Sequence, residues 1–236
     1  MDTLRVGAAF PDPPFNGMAD GGLDVDLITA IGARLGRRVD LIAYEGADFN
    51  GIFDGLATGA YDCVIAGTTV TAERSRRAAF APPYLVSGQS LAVDTARCPA
   101  VRSVDDLAGS TIGVQRGNTS QAIAERLVAQ GRAKGVRLYD YGGIRTALSD
   151  LATGGCDAFM KLGPVLTELV RSIDGVEIVQ RGLSREDIAM AVALGDDSTL
   201  ARIAAAQADL EADGTLQALR RKWLGNPYRD QSLAAH

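Results

Sequence analysis

The chain has 236 residues, 47% of them hydrophobic and 22% charged, with a formal net charge of −5 at pH 7. This composition is typical of a folded protein that buries a core of its own, and it excludes a disordered chain. A negative charge without basic clusters argues against partners such as nucleic acid or an anionic membrane surface. No apolar run is long enough to span a bilayer.

The cysteines and the histidine narrow the possible chemistry. Cys63, Cys98 and Cys156 are odd in number and form no CxxC pair, so neither a metal site nor a disulfide framework is expected. We expect Cys63 and Cys156 to be buried thiols. The only histidine is His236, which leaves little room for Ser-His-Asp or Cys-His catalysis. No cofactor is expected.

The first part of the chain alternates predicted strands with predicted helices. The strands are predicted at 4–9, 39–43 and 62–66, and the helices from Asp24 (its expected N-cap) and at 49–58. Strands separated by helices of this length pair in parallel. The sequence therefore predicts β-α-β units.

The same order then recurs. Strands are predicted at 111–114, 136–139 and 157–160, with helices at 120–130 and 143–152. The segment Leu56-Ala-Thr-Gly-Ala-Tyr-Asp62 reappears as Leu151-Ala-Thr-Gly-Gly-Cys-Asp157. Each copy holds a helix end, a terminal glycine and an aspartate that opens a strand. We interpret this as two lobes of one design.

Two extended runs, 87–93 and 188–194, can carry the chain out of the first lobe and back, and two helices at 198–212 and 215–223 end it. The predicted fold class is α/β, with two similar Rossmann-like lobes joined by a two-strand hinge and a ligand cleft between them. Residues 1–88 and 189–236 form the first predicted lobe and 89–188 the second.

The stretch 66–84 is the first candidate binding site. A predicted buried strand ends in Gly67, Thr68 and Thr69, and Arg74 follows five residues later. Short hydroxyl donors beside a planar guanidinium suit a carboxylate. The alternative is a solvated loop with a surface ion pair.

Several motifs together resemble the extracytoplasmic solute-binding proteins of ABC importers, in their amino-acid-binding branch (family 3, type II periplasmic binding proteins). They are Gly22-Leu-Asp-Val-Asp-Leu27, Thr69-Val-Thr-Ala-Glu-Arg74, Pro83-Tyr84, Ser103-Val-Asp-Asp-Leu-Ala-Gly109, Gly117-Asn-Thr119, Asp213-Gly-Thr-Leu and Lys222-Trp-Leu-Gly225. The resemblance covers nearly the whole chain.

The resemblance implies a set of ligand-binding residues. Arg74 matches the arginine that binds a carboxylate, Thr69 the hydroxyl beside it, and Gly67 a backbone contact. Asn118 and Thr119 match a helix start that favours an anion, although they could be simple helix caps. Phe49 matches a side chain that covers the ligand, although it could be ordinary core.

Two positions depart from the family pattern. Asp12 stands where a ligand-stacking aromatic is usual, with Phe10 and Phe15 nearby. Leu162 stands where an acid usually binds the α-ammonium, and Lys161 precedes it. We therefore expect weak binding of the standard L-amino acids unless Asp12 takes over that role. Strand alternation leaves open that Lys161 points away from the cleft into solvent.

The resemblance implies a monomeric binding protein that closes two lobes on a small carboxylate-bearing solute and delivers it to an ABC importer permease. It would work in the periplasm or on a lipid anchor, although Met1-Asp2-Thr3-Leu4 shows no signal segment. The alternatives are a lyase on the same scaffold, similar to cyclohexadienyl dehydratase, and the sensing module of a receptor. Asp12, Glu45 and Lys161 are the candidate general acids for the lyase.

Overall fold

The computed structural model describes residues 2–17 and 21–225, and these divide into two compact units. Of the described residues, unit 1 comprises 2–17, 21–45, 51–86 and 186–225, and unit 2 comprises 46–50 and 87–185. The predicted lobe boundaries lie two or three residues after these. His236 lies outside the described residues.

Each unit contains strands and helices in alternation. In chain order they are β1 (Thr3–Ala9), α1 (Leu23–Leu35), β2 (Arg38–Tyr44), α2 (Asp54–Ala57), β3 (Cys63–Val64), β4 (Ala78–Phe80), β5 (Leu85–Ser87), β6 (Gln89–Asp94), β7 (Thr111–Gln115), α3 (Thr119–Ala129), β8 (Gly135–Tyr139), α4 (Ile144–Thr153), β9 (Ala158–Leu162), α5 (Gly163–Val170), β10 (Val176–Gln180), β11 (Glu186–Ile188), β12 (Ala191–Ala193), α6 (Asp197–Ala212) and α7 (Thr215–Leu224). Short 3-10 helices lie at Phe49–Phe53, Arg74–Arg76, Val104–Asp106 and Tyr141–Gly143.

Each unit is built on a five-stranded mixed sheet. In unit 1 the strand order is β2-β1-β3-β12-β4, and in unit 2 it is β10-β6-β9-β7-β8. β1 is parallel to β2 and β3, and β7 is parallel to β8 and β9. The predicted parallel β-α-β units are therefore confirmed. β12 in unit 1 and β6 in unit 2 run antiparallel to their neighbours.

The repeated sequence segment makes the same contacts in both units. Gly59 and Gly154 end their helices with φ of 72° and 100°, the left-handed region that glycine adopts without a steric penalty. Asp62 accepts the backbone N–H of Arg5 at 2.9 Å, and Asp157 accepts that of Thr111 at 2.8 Å. In each unit this aspartate therefore ties its strand to the neighbouring parallel strand.

The segment 46–50 was expected in the first lobe but groups with unit 2. The carbonyl of Ala47 accepts the N–H of Tyr141 at 2.7 Å, and the N–H of Phe49 donates to the carbonyl of Arg116 at 3.1 Å. The chain passes from unit 1 to unit 2 within β5 and returns at Glu186, the first residue of β11. β5 and β11 pair as a separate two-stranded sheet.

Two predicted features differ from the structure, and one observed α-helix was not predicted. The helix expected at 49–58 is a 3-10 helix followed by the one-turn α2. Helix α5 was not predicted, because it follows β9 directly and no loop residues separate the strand from the helix. Asp24 is not the N-cap of α1; Gly22 is, and Asp24 lies in the first turn.

Candidate functional site

Arg74 is a buried arginine in unit 1. It begins the 3-10 helix Arg74–Arg76, and only 4% of its surface is exposed. Its backbone N–H donates to Thr71 Oγ1 at 3.1 Å. Its Nη1 donates to the carbonyl oxygen of Thr69 at 3.0 Å, and the guanidinium lies 5.8 Å from the centre of the Phe53 ring. These contacts fix a permanent positive charge in the connection between β3 and β4. The alternative of a solvated surface arginine is wrong.

Thr69 lies beside Arg74, but its hydroxyl already has an acceptor. Thr69 Oγ1 donates to Glu186 Oε2 at 2.6 Å, and Glu186 is only 5% exposed. Sequence reasoning missed Glu186. The only signal was its position two residues before the extended run at 188–194. Thr69 therefore bonds two buried side chains, Glu186 through its hydroxyl and Arg74 through its carbonyl oxygen.

Gly67, which was expected to offer the ligand a backbone contact, uses its N–H within unit 1. Its N–H donates to Asp24 Oδ2 at 2.7 Å. The residue has φ of 56°, and an added Cβ would lie 3.3 Å from the ring of Phe15, which is fully buried. Glycine is therefore required here both by the backbone and by the packing of Phe15.

Asp24 is the centre of this polar cluster. Its Oδ1 accepts the hydroxyl of Tyr84 at 2.6 Å, and its Oδ2 also accepts Asn16 Nδ2 at 3.3 Å. Complete burial raises the pKa of Asp24 to about 7, and the charge of Asp12 adds to the rise, against the lowering effect of the three hydrogen bonds. Asp12 itself is 8% exposed, and its backbone N–H donates to the carbonyl of Asn16 at 2.8 Å.

In unit 2 the candidate residues surround the first turn of α3. Asn118 is the N-cap, but its side chain caps no backbone N–H and instead lies 3.4 Å from Gln115 Oε1 through Nδ2. Thr119 is the first helical residue, and its Oγ1 accepts Gln89 Nε2 at 3.0 Å. Asn118 therefore occupies the N-cap position without capping the helix through its side chain. The helix start keeps the dipole that favours an acceptor group.

Lys161 and Leu162 end β9 and point to opposite faces of its sheet. Lys161 is 3% exposed, its Nζ donates to Gln115 Oε1 at 2.7 Å, and it lies 5.7 Å from the centre of the Tyr141 ring. The alternative of a solvated Lys161 is therefore wrong, because the side chain is buried and bonded within unit 2. Leu162 is 8% exposed and lies on the other face.

Phe49 packs inside unit 2. It is 3% exposed, and its ring lies 5.3 Å from that of Tyr141. This contact accounts for its burial, so a packing role is sufficient for Phe49. In unit 1 the structure thus brings Thr69 together with Arg74, and Gly67 together with Phe15. In unit 2 it brings Phe49 and Lys161 to the ring of Tyr141.

Within residues 2–17 and 21–225, no three His, Cys, Asp or Glu side chains come together as a metal site needs. No helix in the same ranges combines the length and the apolar composition required to cross a membrane. Of the three candidate general acids, Glu45 is exposed, whereas Asp12 and Lys161 are buried.

Comparison with known proteins gives matches along almost the whole chain. Residues 4–226 match the sequence profile of the bacterial extracellular solute-binding proteins, family 3. The L-cystine-binding protein TcyJ of Escherichia coli (strain K12) is 28% identical over 228 residues, covering 94% of this chain and 83% of that protein.

Two solved structures show the same fold. An ancestral arginine-binding protein bound to arginine superposes with a TM-score of 0.87 and 32% identity, covering 95% of this chain and 99% of that one. The ancestral amino acid-binding protein AncCDT-1, a precursor of cyclohexadienyl dehydratase, gives a TM-score of 0.82 and 28% identity, with 94% of each chain covered.

Proposed function

This chain belongs to the bacterial extracellular solute-binding proteins of family 3, and we propose that it binds a small solute through a carboxylate and delivers it to the permease of an ABC importer. Its relatives are binding proteins for amino acids, cystine and arginine among them. We propose further that it acts as a monomer, in the periplasm or anchored outside the membrane.

The observation that carries the carboxylate proposal is the burial of Arg74. A guanidinium stays charged at every relevant pH, and it offers a carboxylate two parallel N–H donors. Burying such a charge is costly, so proteins keep a buried arginine where its geometry is used. The bond from Nη1 to the Thr69 carbonyl and the Phe53 ring hold the group in place.

Arg77 provides a matched control. It also lies over the Phe53 ring, at 5.7 Å, but its side chain is one-third exposed and pairs with Asp54 at 2.7 Å. A surface pair of this kind contributes about 0–1 kcal/mol. Replacing Arg77 therefore removes an arginine from the same aromatic ring without removing the proposed carboxylate partner.

Isothermal titration calorimetry on a solute panel tests the proposal. The panel contains L-arginine, L-cystine, L-glutamine, other L-amino acids and small organic acids. Arg74→Ala should weaken binding of the best solute by about 2–5 kcal/mol, since removing one partner of a buried charge pair costs that much. Arg74→Lys should recover little, because an ammonium cannot form the two-pronged contact. Arg77→Ala should bind as the wild type does.

Two results would contradict the proposal. Unchanged affinity in Arg74→Ala would exclude the carboxylate contact. Steady turnover of a cyclic acid such as prephenate would favour the alternative, a lyase similar to cyclohexadienyl dehydratase. That alternative is supported by the likeness to AncCDT-1, and it would need a buried acid, for which Asp12 and Lys161 are the candidates.

A further inference from the structure

The hydroxyl group of Thr69 has a fixed polarity. Its Oγ1 donates to Glu186 Oε2 at 2.6 Å, a length typical of a hydroxyl bonded to an ionised carboxylate. An ionised carboxylate offers only acceptors, so the single proton of the hydroxyl points at Glu186. Toward any other partner, Thr69 Oγ1 can therefore act only as an acceptor.

This polarity is opposite to the one that a carboxylate needs. A solute carboxylate is itself an acceptor, so it must bind to a donor, and the proton of the Thr69 hydroxyl is already committed. The hydroxyl oxygen can instead accept a hydrogen bond from an ammonium, a hydroxyl or an N–H group. Thr69 therefore recognises a donor group of the solute that lies beside the carboxylate.

Thr69 also lies against Arg74, the residue proposed to bind that carboxylate. Arg74 Nη1 donates to the Thr69 carbonyl at 3.0 Å, so the guanidinium and the hydroxyl lie beside one residue. Thr69 is 6% exposed, and among the described residues its Oγ1 has no bond other than the one to Glu186. Thr69, Arg74 and Glu186 all belong to unit 1, so this arrangement needs no contact with unit 2.

Glu186 adds a negative charge to this arrangement. It is the first residue of β11 and is 5% exposed, so water and salt screen its charge weakly. The charge lies one hydrogen bond behind Thr69 Oγ1. It therefore attracts a cationic donor at that oxygen more strongly than a neutral donor, and it disfavours an anionic group there.

We propose that Glu186 selects a solute with a free α-ammonium, by holding Thr69 Oγ1 as the acceptor and by supplying the opposite charge. Arg74 would bind the carboxylate of the same solute. This inference rests on the proposed function and narrows its ligand class to free α-amino acids. It differs from the expectation, drawn from Leu162, that the standard L-amino acids bind weakly. Glu186 is a positioning residue here, because it acts on the solute through Thr69.

Calorimetry with matched solutes tests the inference. For each of several side chains, the probes are the L-amino acid, the L-2-hydroxy acid and the acid without an α-substituent. The wild type should bind the amino acid at least about tenfold more tightly than the unsubstituted acid, a difference typical of a hydrogen bond to a charged group. The hydroxy acid should lie between them, because it offers a donor without a charge.

Two variants separate the charge from the hydrogen bond. Glu186→Gln keeps the size of the side chain and an acceptor for the Thr69 hydroxyl but removes the charge. It should weaken binding of the amino acid by about tenfold without weakening the unsubstituted acid. Thr69→Val removes the acceptor, so the hydroxy acid and the unsubstituted acid should bind equally. Thr69→Ser should keep the wild-type order, because it retains the hydroxyl.

Glu73→Gln is the matched control. Glu73 directly precedes Arg74 in the chain, and it is exposed. The variant removes the same charge as Glu186→Gln, from a position where water screens it. It should therefore leave the order of the three solutes unchanged. Thermal unfolding of each variant separates loss of folding from loss of recognition.

The outcomes separate this inference from the function on which it rests. If Arg74→Ala weakens binding but Glu186→Gln weakens all three solutes alike, Glu186 has only a structural role and the inference is wrong. A wild type that binds the unsubstituted acid as tightly as the amino acid would also overturn it. If no solute binds and Arg74→Ala has no effect, the solute-binding proposal fails, and this inference fails with it.

Discussion

Asp24 should make the stability of the protein depend on pH. Burial raises the pKa of its carboxyl to about 7 in the folded chain, whereas an exposed aspartate titrates near 4. The folded state therefore keeps a proton that the unfolded state releases between these values. The resulting stabilisation is fully present below about pH 4 and is lost as the pH rises through about 7.

The size of the effect follows from the shift. Three pKa units at about 1.4 kcal/mol each correspond to about 4 kcal/mol. Asp24→Asn stays neutral at every pH and removes this contribution. The free energy of unfolding of the wild type, relative to Asp24→Asn, should therefore fall by about 4 kcal/mol between pH 4 and pH 8.

Urea unfolding at several pH values measures this difference directly. Subtracting the two curves cancels the other titrating groups, which are the same in both proteins. If the curves of Asp24→Asn and the wild type ran parallel, burial would not control this carboxyl and the reasoning would be refuted.

Two further predictions concern buried groups elsewhere. Arg220 is fully buried, donates to the Tyr84 carbonyl at 2.9 Å and pairs with Glu211. Arg220→Ala should therefore lower the free energy of unfolding by about 3–5 kcal/mol. A loss under about 1 kcal/mol in urea unfolding would contradict this. Burial raises the pKa of Cys63 to about 12 and also raises the pKa of Cys156, while Cys98 is only partly buried. In the native protein a thiol reagent should modify Cys98 first and the other two only on unfolding, and equal rates for all three would count against it.

The comparison of the two repeats shows why so much of the fold could be read from the sequence. A glycine that stops a helix and an aspartate that opens the next strand are local signals, and they act through backbone geometry and nearby N–H groups. The segments ending at Asp62 and Asp157 each carry both signals. They indicated two α/β lobes before any contact was known. Helix α5 gave no such signal, because it follows β9 directly and no loop residues separate the two elements.

Tertiary structure decided which polar groups remain available to a solute. Sequence placed Gly67 and Thr69 at a strand end and suggested that both are free to bind. Their partners, Asp24 and Glu186, lie 43 and 117 residues away along the chain. Such partners depend on how distant segments pack, and no local pattern encodes that.

The same distinction between local sequence signals and contacts of distant segments applies in unit 2. Sequence identified Leu162 as a departure from the family pattern, because a residue type can be read directly. It could not identify Gln89 as the neighbour of Leu162, because strand register fixes that pairing across more than seventy positions of chain. The sequence therefore determined the fold and the class of protein. The packing of distant segments decided which atoms are left to recognise the solute, since each buried polar group bonds to whatever the folded chain brings within reach.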